Sequence, residues 1–280
     1  MNAAAVATRW LGHVIKYAVM LFTVVVSTFP ILWVLVSSFK TNREILGSPF
    51  SLPSGIRFDA YVNVFTMYNF FNYFQNSLIV AVTATAIALF IYSLAGYIFA
   101  KFDFKGKLLL YSLCTITLLV PGHAKAQPIF SIIMNLGLYD TRTGLILVYS
   151  SFGMALALFI LRASFITIPR DLDEAALLDG AGFWRIFWNV NVPLARSGLA
   201  TSGILLFLQY WNEYFFALVL TTSSDKRTLP VALQFFDTAF AYNYTNMFAA
   251  LTMIVLPGIV IYLFVQEQVQ QSVASSGVKG

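Results

Sequence analysis

Charge is scarce in this chain. Asp, Glu, Lys and Arg together supply 10% of its 280 residues, where a soluble domain carries about 25%. A soluble globular protein is therefore excluded. Cysteine occurs once, as Cys114, so no internal disulfide can form, and its apolar surroundings suit a small core residue. The histidines are two, His13 and His123; with Cys114 they share no metal-ligand spacing, and no metal site is expected. A nucleotide-binding loop is missing as well. The one Gly-Lys pair, Gly106–Lys107, is followed by Leu108 and has Lys101 where the first glycine belongs. No Gly-x-Ser-x-Gly turn and no paired nucleophile and base point to a hydrolase. The net charge of +5 is scattered rather than gathered on one helix, which speaks for juxtamembrane basic residues and against nucleic acid as a partner. The first apolar segment is too long for a cleavable signal peptide, and no small-residue cleavage site follows it.

What is present is apolar length. Hydrophobic residues make up 59% of the chain and the mean hydropathy is +0.77. A spanning helix needs about 20 mostly apolar residues, and six segments qualify: 14–38, 76–100, 108–130, 143–163, 198–220 and 247–267. The expected fold is an all-α integral membrane protein, one domain over residues 1–280. Pro30 is placed to kink the first span, and Ala, Thr and Ser in the second suit close helix packing. Pro121, Gly122, His123, Lys125 and Gln127 interrupt the third, which predicts an early end or a break. Pro257 and Gly258 lie in the sixth.

Six spans put both termini on one side, and basic residues say which. With the termini cytoplasmic, ten of the 17 Lys and Arg residues lie inside, three of them in the short stretch 101–107. Residues 40–75 and 221–246 then form the long outer segments, the first suited to an interfacial helix or cap. The second, TTSSDKRTLPVALQFFDTAFAYNYTN, mixes aromatic and amide side chains. Its alternatives are a contact surface and a wet loop with interfacial aromatics.

The stretch 169–193 lies on the inner side in this orientation and reads as two short helices. Pro169 can open the first, Asp171 and Asp173 favour its positive end, and Gly180 can stop it. Bulky residues at 183, 184, 187 and 188 give the second an apolar face wide enough to dock in a groove, and Pro193 limits it. Ala175 and Ala176 permit close approach, while Glu174 and Asp179 supply charge. The alternative is an amphipathic helix lying on lipid. A last candidate lies in the fifth span. Glu213 falls about 22 Å from the inner end at about 1.5 Å per residue, and an intramembrane carboxylate is a functional candidate by default. With Gln209, Tyr210, Trp211 and Asn212 it could line a substrate pathway, or bond helices together.

The spacing Glu174-Ala175-Ala176, Gly180, Val190, Val192, Pro193 resembles the EAA loop of permease subunits in ABC importers. Val stands where Ile and Leu are usual, and Asn191 lies between them. The resemblance extends to Phe29-Pro30, Ser38-Phe39-Lys40, Phe74-Gln75-Asn76-Ser77, Ala95-Gly96-Tyr97 and Phe104-Lys105-Gly106-Lys107. It continues through Tyr210-Trp211-Asn212-Glu213 and Thr228-Leu229-Pro230 to Gly277-Val278-Lys279-Gly280. Over nearly the whole chain these are similar to maltose-type carbohydrate permeases, on the MalG-like side of the subunit pair.

The resemblance implies a type I ABC importer fold with a cytoplasmic coupling-helix loop between helices 4 and 5. It implies a bacterial cytoplasmic (inner) membrane location, a second permease subunit, two ABC ATPase subunits and an external solute-binding protein. ATP and Mg would be bound by those ATPase subunits, with no cofactor in this chain and no catalytic residue. Glu174 to Gly180 would enter a groove on the ATPase, Phe183, Trp184 and Pro193 would complete the coupling surface, and the tail Val278, Lys279, Gly280 would reach between the ATPases. The substrate would be a di- or oligosaccharide moved by alternating access. Rivals are a polyol or glycerol phosphate importer, an ion-coupled secondary carrier, a passive channel and an intramembrane enzyme.

Overall fold

The computed structural model describes residues 3–67, 69–239 and 243–277. No strand occurs among them, and the protein is all-α. Three helices are long: α1 (Ala3–Ser37), α4 (Phe70–Lys101) and α15 (Tyr244–Gly277). Between the first two lie α2 (Asn42–Gly47) and α3 (Asp59–Met67). After α4 the chain breaks into shorter pieces: α5 (Lys107–Thr115), α6 (Ala126–Asn135), α7 (Arg142–Ser150), α8 (Met154–Ile166), α9 (Arg170–Leu178), α10 (Phe183–Ile186), α11 (Val192–Leu194), α12 (Arg196–Trp211), α13 (Phe215–Leu220) and α14 (Leu229–Ala239). The chain forms two compact units, Met1–Asn69 with Phe235–Val255, and Phe70–Gln234 with Leu256–Gly280.

In the first unit, Gly12–Ser37 is long and apolar enough to cross a membrane, and its apolar window is 0% buried. The turn after α1 is held by polar contacts. Lys40, 1% exposed, donates to the Pro49 carbonyl at 2.6 Å, and Trp33 Nε1 reaches the same oxygen at 3.0 Å. A capping box then starts α2. Thr41 Oγ1 accepts from the Glu44 N–H, and the Glu44 carboxylate accepts from the Thr41 N–H at 2.7 Å. Hydrogen bonds from the Ser54 hydroxyl, then from the backbone at Thr41 and Ser54, hold the exposed Glu44 carboxyl down at about 2.

The second unit is built around α4, which packs on α7, α8 and α12. Its buried face is a run of small residues, Ser77, Ala81, Ala84, Ala88 and Gly96, at helical spacing. In lipid, where apolar side chains gain nothing by leaving solvent, such residues let backbones approach and pack. A Cβ at Gly96 would stand 3.0 Å from the Leu161 Cβ on α8, and one at Gly198 of α12 would lie 2.6 Å from the Ser164 Cβ. Helix contact this close leaves no room for a side chain at Gly198 and little at Gly96.

The spans depart from expectation in their continuity. Among the described residues, besides Gly12–Ser37, only Phe70–Lys101 is a single crossing-length apolar helix, and three bent pairs reach that length together. Lys107–Leu119 with Gly122–Asn135 turns by 108°, at the predicted break around Pro121. The segment 143–163, expected to be continuous, is interrupted at 151–153 and bent by 52°. Gly153 takes a left-handed φ of +76°, and a Cβ there would meet Leu206 at 2.6 Å and Gln209 at 2.8 Å. The segment 198–220 is likewise interrupted at 212–214. Pro193 does not end its helix either. It sits in the first turn of α11, where the missing N–H costs nothing, and the 82° bend falls at Ala195. Segment 247–267 lies within α15, with Pro257 inside the helix.

Candidate functional site

The loop 169–193 is a preformed pair of helices. Pro169 occupies the N-cap of α9, with Asp171 and Asp173 in its first turn, where they favour the positive end of the helix. The other end is a full Schellman motif: the Ala181 N–H bonds the Ala176 carbonyl at 2.9 Å, and the Gly180 N–H bonds Leu177 at 3.0 Å. Gly180 supplies the left-handed φ of +78° that this turn requires. Glu174, Ala175, Asp179 and Gly180 are exposed and Ala176 is half-buried. Leu177 and Leu178 stand out at 59% and 90% exposure. An apolar surface of this kind, with an exposed Glu174 beside it, is built to be covered.

The second helix divides its aromatic residues. Trp184 and Trp188 remain exposed, Trp188 stacking on Phe90 at 6.1 Å, and Phe183 packs on Tyr97 at 5.6 Å. Phe187 is fully buried among Tyr97 and Phe165. The apolar face predicted to dock as a whole is therefore partly an internal anchor. Helical spacing accounts for the division: Phe183 and Phe187, four residues apart, share the face that packs on Tyr97, and Trp184 and Trp188 share the neighbouring face; a π-helical turn runs over Phe187–Asn191.

An ion pair fixes the helix pair to the bundle. Lys101, the last residue of α4, meets Asp173 at 2.9 Å, with side chains 4% and 15% exposed. Lys101 Nζ also donates to the Ile168 carbonyl at 2.8 Å. The second Asp173 oxygen accepts from Asn191 Nδ2 at 2.6 Å, and Asn191 is 0% exposed. Removing one partner of such a pair typically costs about 3–5 kcal/mol, because the other charge is left buried. Sequence reasoning missed this grouping. Asp173 reads as a helix-start carboxylate and Lys101 as one of several inside lysines, and nothing in their spacing joins them to Asn191. On the surface nearby, Lys107 and, more weakly, Arg170 hold the Asp103 carboxyl below its usual range.

The second feature is a cavity of about 380 Å³ where three helix breaks meet. Thr117, Gly122, His123 and Lys125 come from the first, Ser151, Phe152 and Gly153 from the second, and Gln209, Glu213 and Phe216 from the third. Tyrosines from elsewhere satisfy the second break, and Glu213 caps the helix after the third. Tyr92 OH donates to the Ser150 carbonyl at 2.6 Å, and Tyr210 OH to Phe152 at 2.8 Å. Glu213 accepts from the Phe216 and Ala217 N–H groups at 2.8 and 3.0 Å, and from Tyr149 OH at 2.7 Å.

Gln209 and Glu213 thus face the cavity. Tyr210 and Trp211 do not: both are 2% exposed, Trp211 packed against Phe74 and Phe207. Asn212 is exposed and bonded back to the Leu208 carbonyl. His123, stacked 4.5 Å from Phe215, joins the polar lining; the residues that break the third segment were the signal for it. Among the described residues no three His, Cys, Asp or Glu side chains stand together to hold a metal ion. The tail Val278, Lys279, Gly280 lies outside the described residues.

A solute crossing a bilayer must find polar groups at depth, and interrupted helices around a partly polar cavity provide them; the chain has the build of a membrane transport protein. It belongs to the family described as binding-protein-dependent transport system inner membrane component, whose model matches residues 92–275. The diacetylchitobiose uptake system permease protein NgcG of Streptomyces coelicolor is 38% identical over 262 residues, covering 93% of this chain and 87% of that one. The trehalose transport system permease protein SugB of Mycobacterium tuberculosis is 35% identical, covering 94% and 97%. Among solved structures, a chain of a bacterial ABC transporter involved in the import of the acidic polysaccharide alginate superposes with a TM-score of 0.81 at 26% identity, covering 93% of this chain and 97% of that one.

Proposed function

We propose that the chain is one permease subunit of an ATP-driven, binding-protein-dependent carbohydrate importer. The six apolar segments are six spans, and both termini and the loop 169–193 are cytoplasmic. The loop carries the coupling helix, α9, on which an ABC ATPase docks. A second permease completes the pathway, a solute-binding protein delivers the sugar from outside, and ATP and Mg are bound by the ATPases alone. The sugar, a di- or oligosaccharide, crosses by alternating access, and the cavity at the three helix breaks is this subunit's share of the path. Its amide, hydroxyl and imidazole groups suit sugar hydroxyls, and Phe152 and Phe216 offer apolar faces. The observation that carries the reading is α9: a helix closed by a Schellman turn that presents Leu177, Leu178 and Glu174 outward.

The test is ATPase activity of the complex purified with its neighbouring permease and ATPase and reconstituted in lipid. The cognate binding protein is added with each of a panel of mono-, di- and oligosaccharides and polyols. Stimulation by a binding protein loaded with a di- or oligosaccharide is expected. Assembly without stimulation by any sugar overturns the substrate assignment, and failure of any ATPase to assemble overturns the docking assignment.

A further inference from the structure

We propose that Lys101, Asp173 and Asn191 form a latch that makes the coupling helix and the inner end of α4 move as one body, so that α4 carries the state of the docked ATPase to the outer loop 221–228. The inference rests on the coupling-loop reading above and names the positioning residues that reading lacks.

Three segments meet on one carboxylate. Asp173 opens α9, Lys101 ends α4, and Asn191 closes the π-helical turn that leads to α12. One Asp173 oxygen takes Lys101 at 2.9 Å and the other takes Asn191 at 2.6 Å. Of the four ion pairs among the described residues, this one is sequestered; the others leave their carboxylates 63–74% exposed. Apolar contacts slide, because their energy changes little with small displacements. A desolvated pair with both oxygens engaged does not, since any slip leaves a charge bare.

The far end of α4 is tied in the same manner. Asn76 Nδ2 donates to the Asp225 and Arg227 carbonyls, each at 2.9 Å, and Ser77 Oγ accepts from the Leu229 N–H at 2.7 Å. The two ties are separated by roughly 37 Å of helix at about 1.5 Å per residue. A straight helix fastened at both ends transmits displacement without needing a chain of soft contacts between them.

The experiment uses the full reconstituted complex with wild-type chain, Lys101→Met, Asp173→Asn, the pair of substitutions together, Lys101→Arg, and Asn76→Ala. Readouts are ATPase co-purification, transport, and the ratio of ATPase activity with and without loaded binding protein. The Lys101 side chain and Asn191, 4% and 0% exposed, offer a partner almost no surface, so the ATPase should still co-purify. The stimulation ratio should fall at least about fivefold in each single latch variant, and transport with it. The double variant should be no worse than the worse single one, Lys101→Arg should recover part of the response, and Asn76→Ala should lower the same ratio from the other end. Wild-type stimulation in Lys101→Met and Asp173→Asn would overturn the latch, as would loss of the ATPase from both. Failure of the wild-type complex to assemble would instead overturn the coupling reading.

Discussion

At position 213 a single carboxylate accepts from two backbone N–H groups and a tyrosine hydroxyl, all at 3.0 Å or less. Glu213→Ala strips all three donors of their acceptor in a half-buried setting. Each such loss costs about 1–3 kcal/mol, so the variant should be at least about 3 kcal/mol less stable in detergent thermal unfolding. Glu213→Gln retains an acceptor oxygen and should lose less. Equal stability of the alanine variant would show that Glu213 serves only the cavity. A different carboxylate offers a pH test. Glu44 titrates near 2 in the folded chain, against about 4.3 unperturbed. Because its folded value is the lower one, the stabilisation is complete above about 4.3 and is lost as pH falls through about 2. A carboxyl carbon resonance of Glu44 with a midpoint near 4 would refute the capping box. Between α6 and α7, burial pushes the Asp140 carboxyl up, but donors at Ser223 and Thr222 outweigh it and leave it below the usual range.

Among the elements, α9 and the break around Pro121 were legible, and the other two helix breaks were not. The end of α9 is written locally: Gly180 follows the last leucines at the position where a left-handed residue closes the helix, and the structure finds φ of +78° there. Gly180→Ala places a Cβ on that backbone in open space, so the cost is conformational alone, about 1–2 kcal/mol. Binding-protein-stimulated ATPase should weaken in proportion, while Gly180→Pro, which forbids the φ altogether, should uncouple the complex. The breaks at 151–153 and 212–214 follow other rules. Ser150 and Ser151 at the first and Asn212 and Glu213 at the second are too few to end a long apolar segment, so hydropathy reads through both. At 151–153 the partners lie far along the chain: Tyr92 and Tyr210 are 58 residues from the carbonyls they satisfy. At 212–214 Glu213 caps the Phe216 and Ala217 N–H groups locally and takes the Tyr149 hydroxyl from 64 residues away. The π-helical turn at Phe187–Asn191 escaped for a similar reason. It is set by where Phe187 and Asn191 are buried, not by any residue that favours such a turn.

At the scale of the whole molecule, the all-α architecture and membrane class followed from composition, since so little charge leaves no other solvent. Individual contacts such as the Lys101–Asp173 pair need three dimensions. One feature bears on how the molecule comes to exist. No residue in the apolar window of Gly12–Ser37 is buried within its own chain. Preceding the other spans in the chain, that segment leans little on the residues that follow and can enter a bilayer while they are still unsynthesised. Its exposed flank is no burden there, for hydrocarbon is as good a neighbour to leucine as another leucine is. A chain produced without any companion should therefore insert as fully as one produced with all of them, and quality control must sense something other than a failure to enter the membrane.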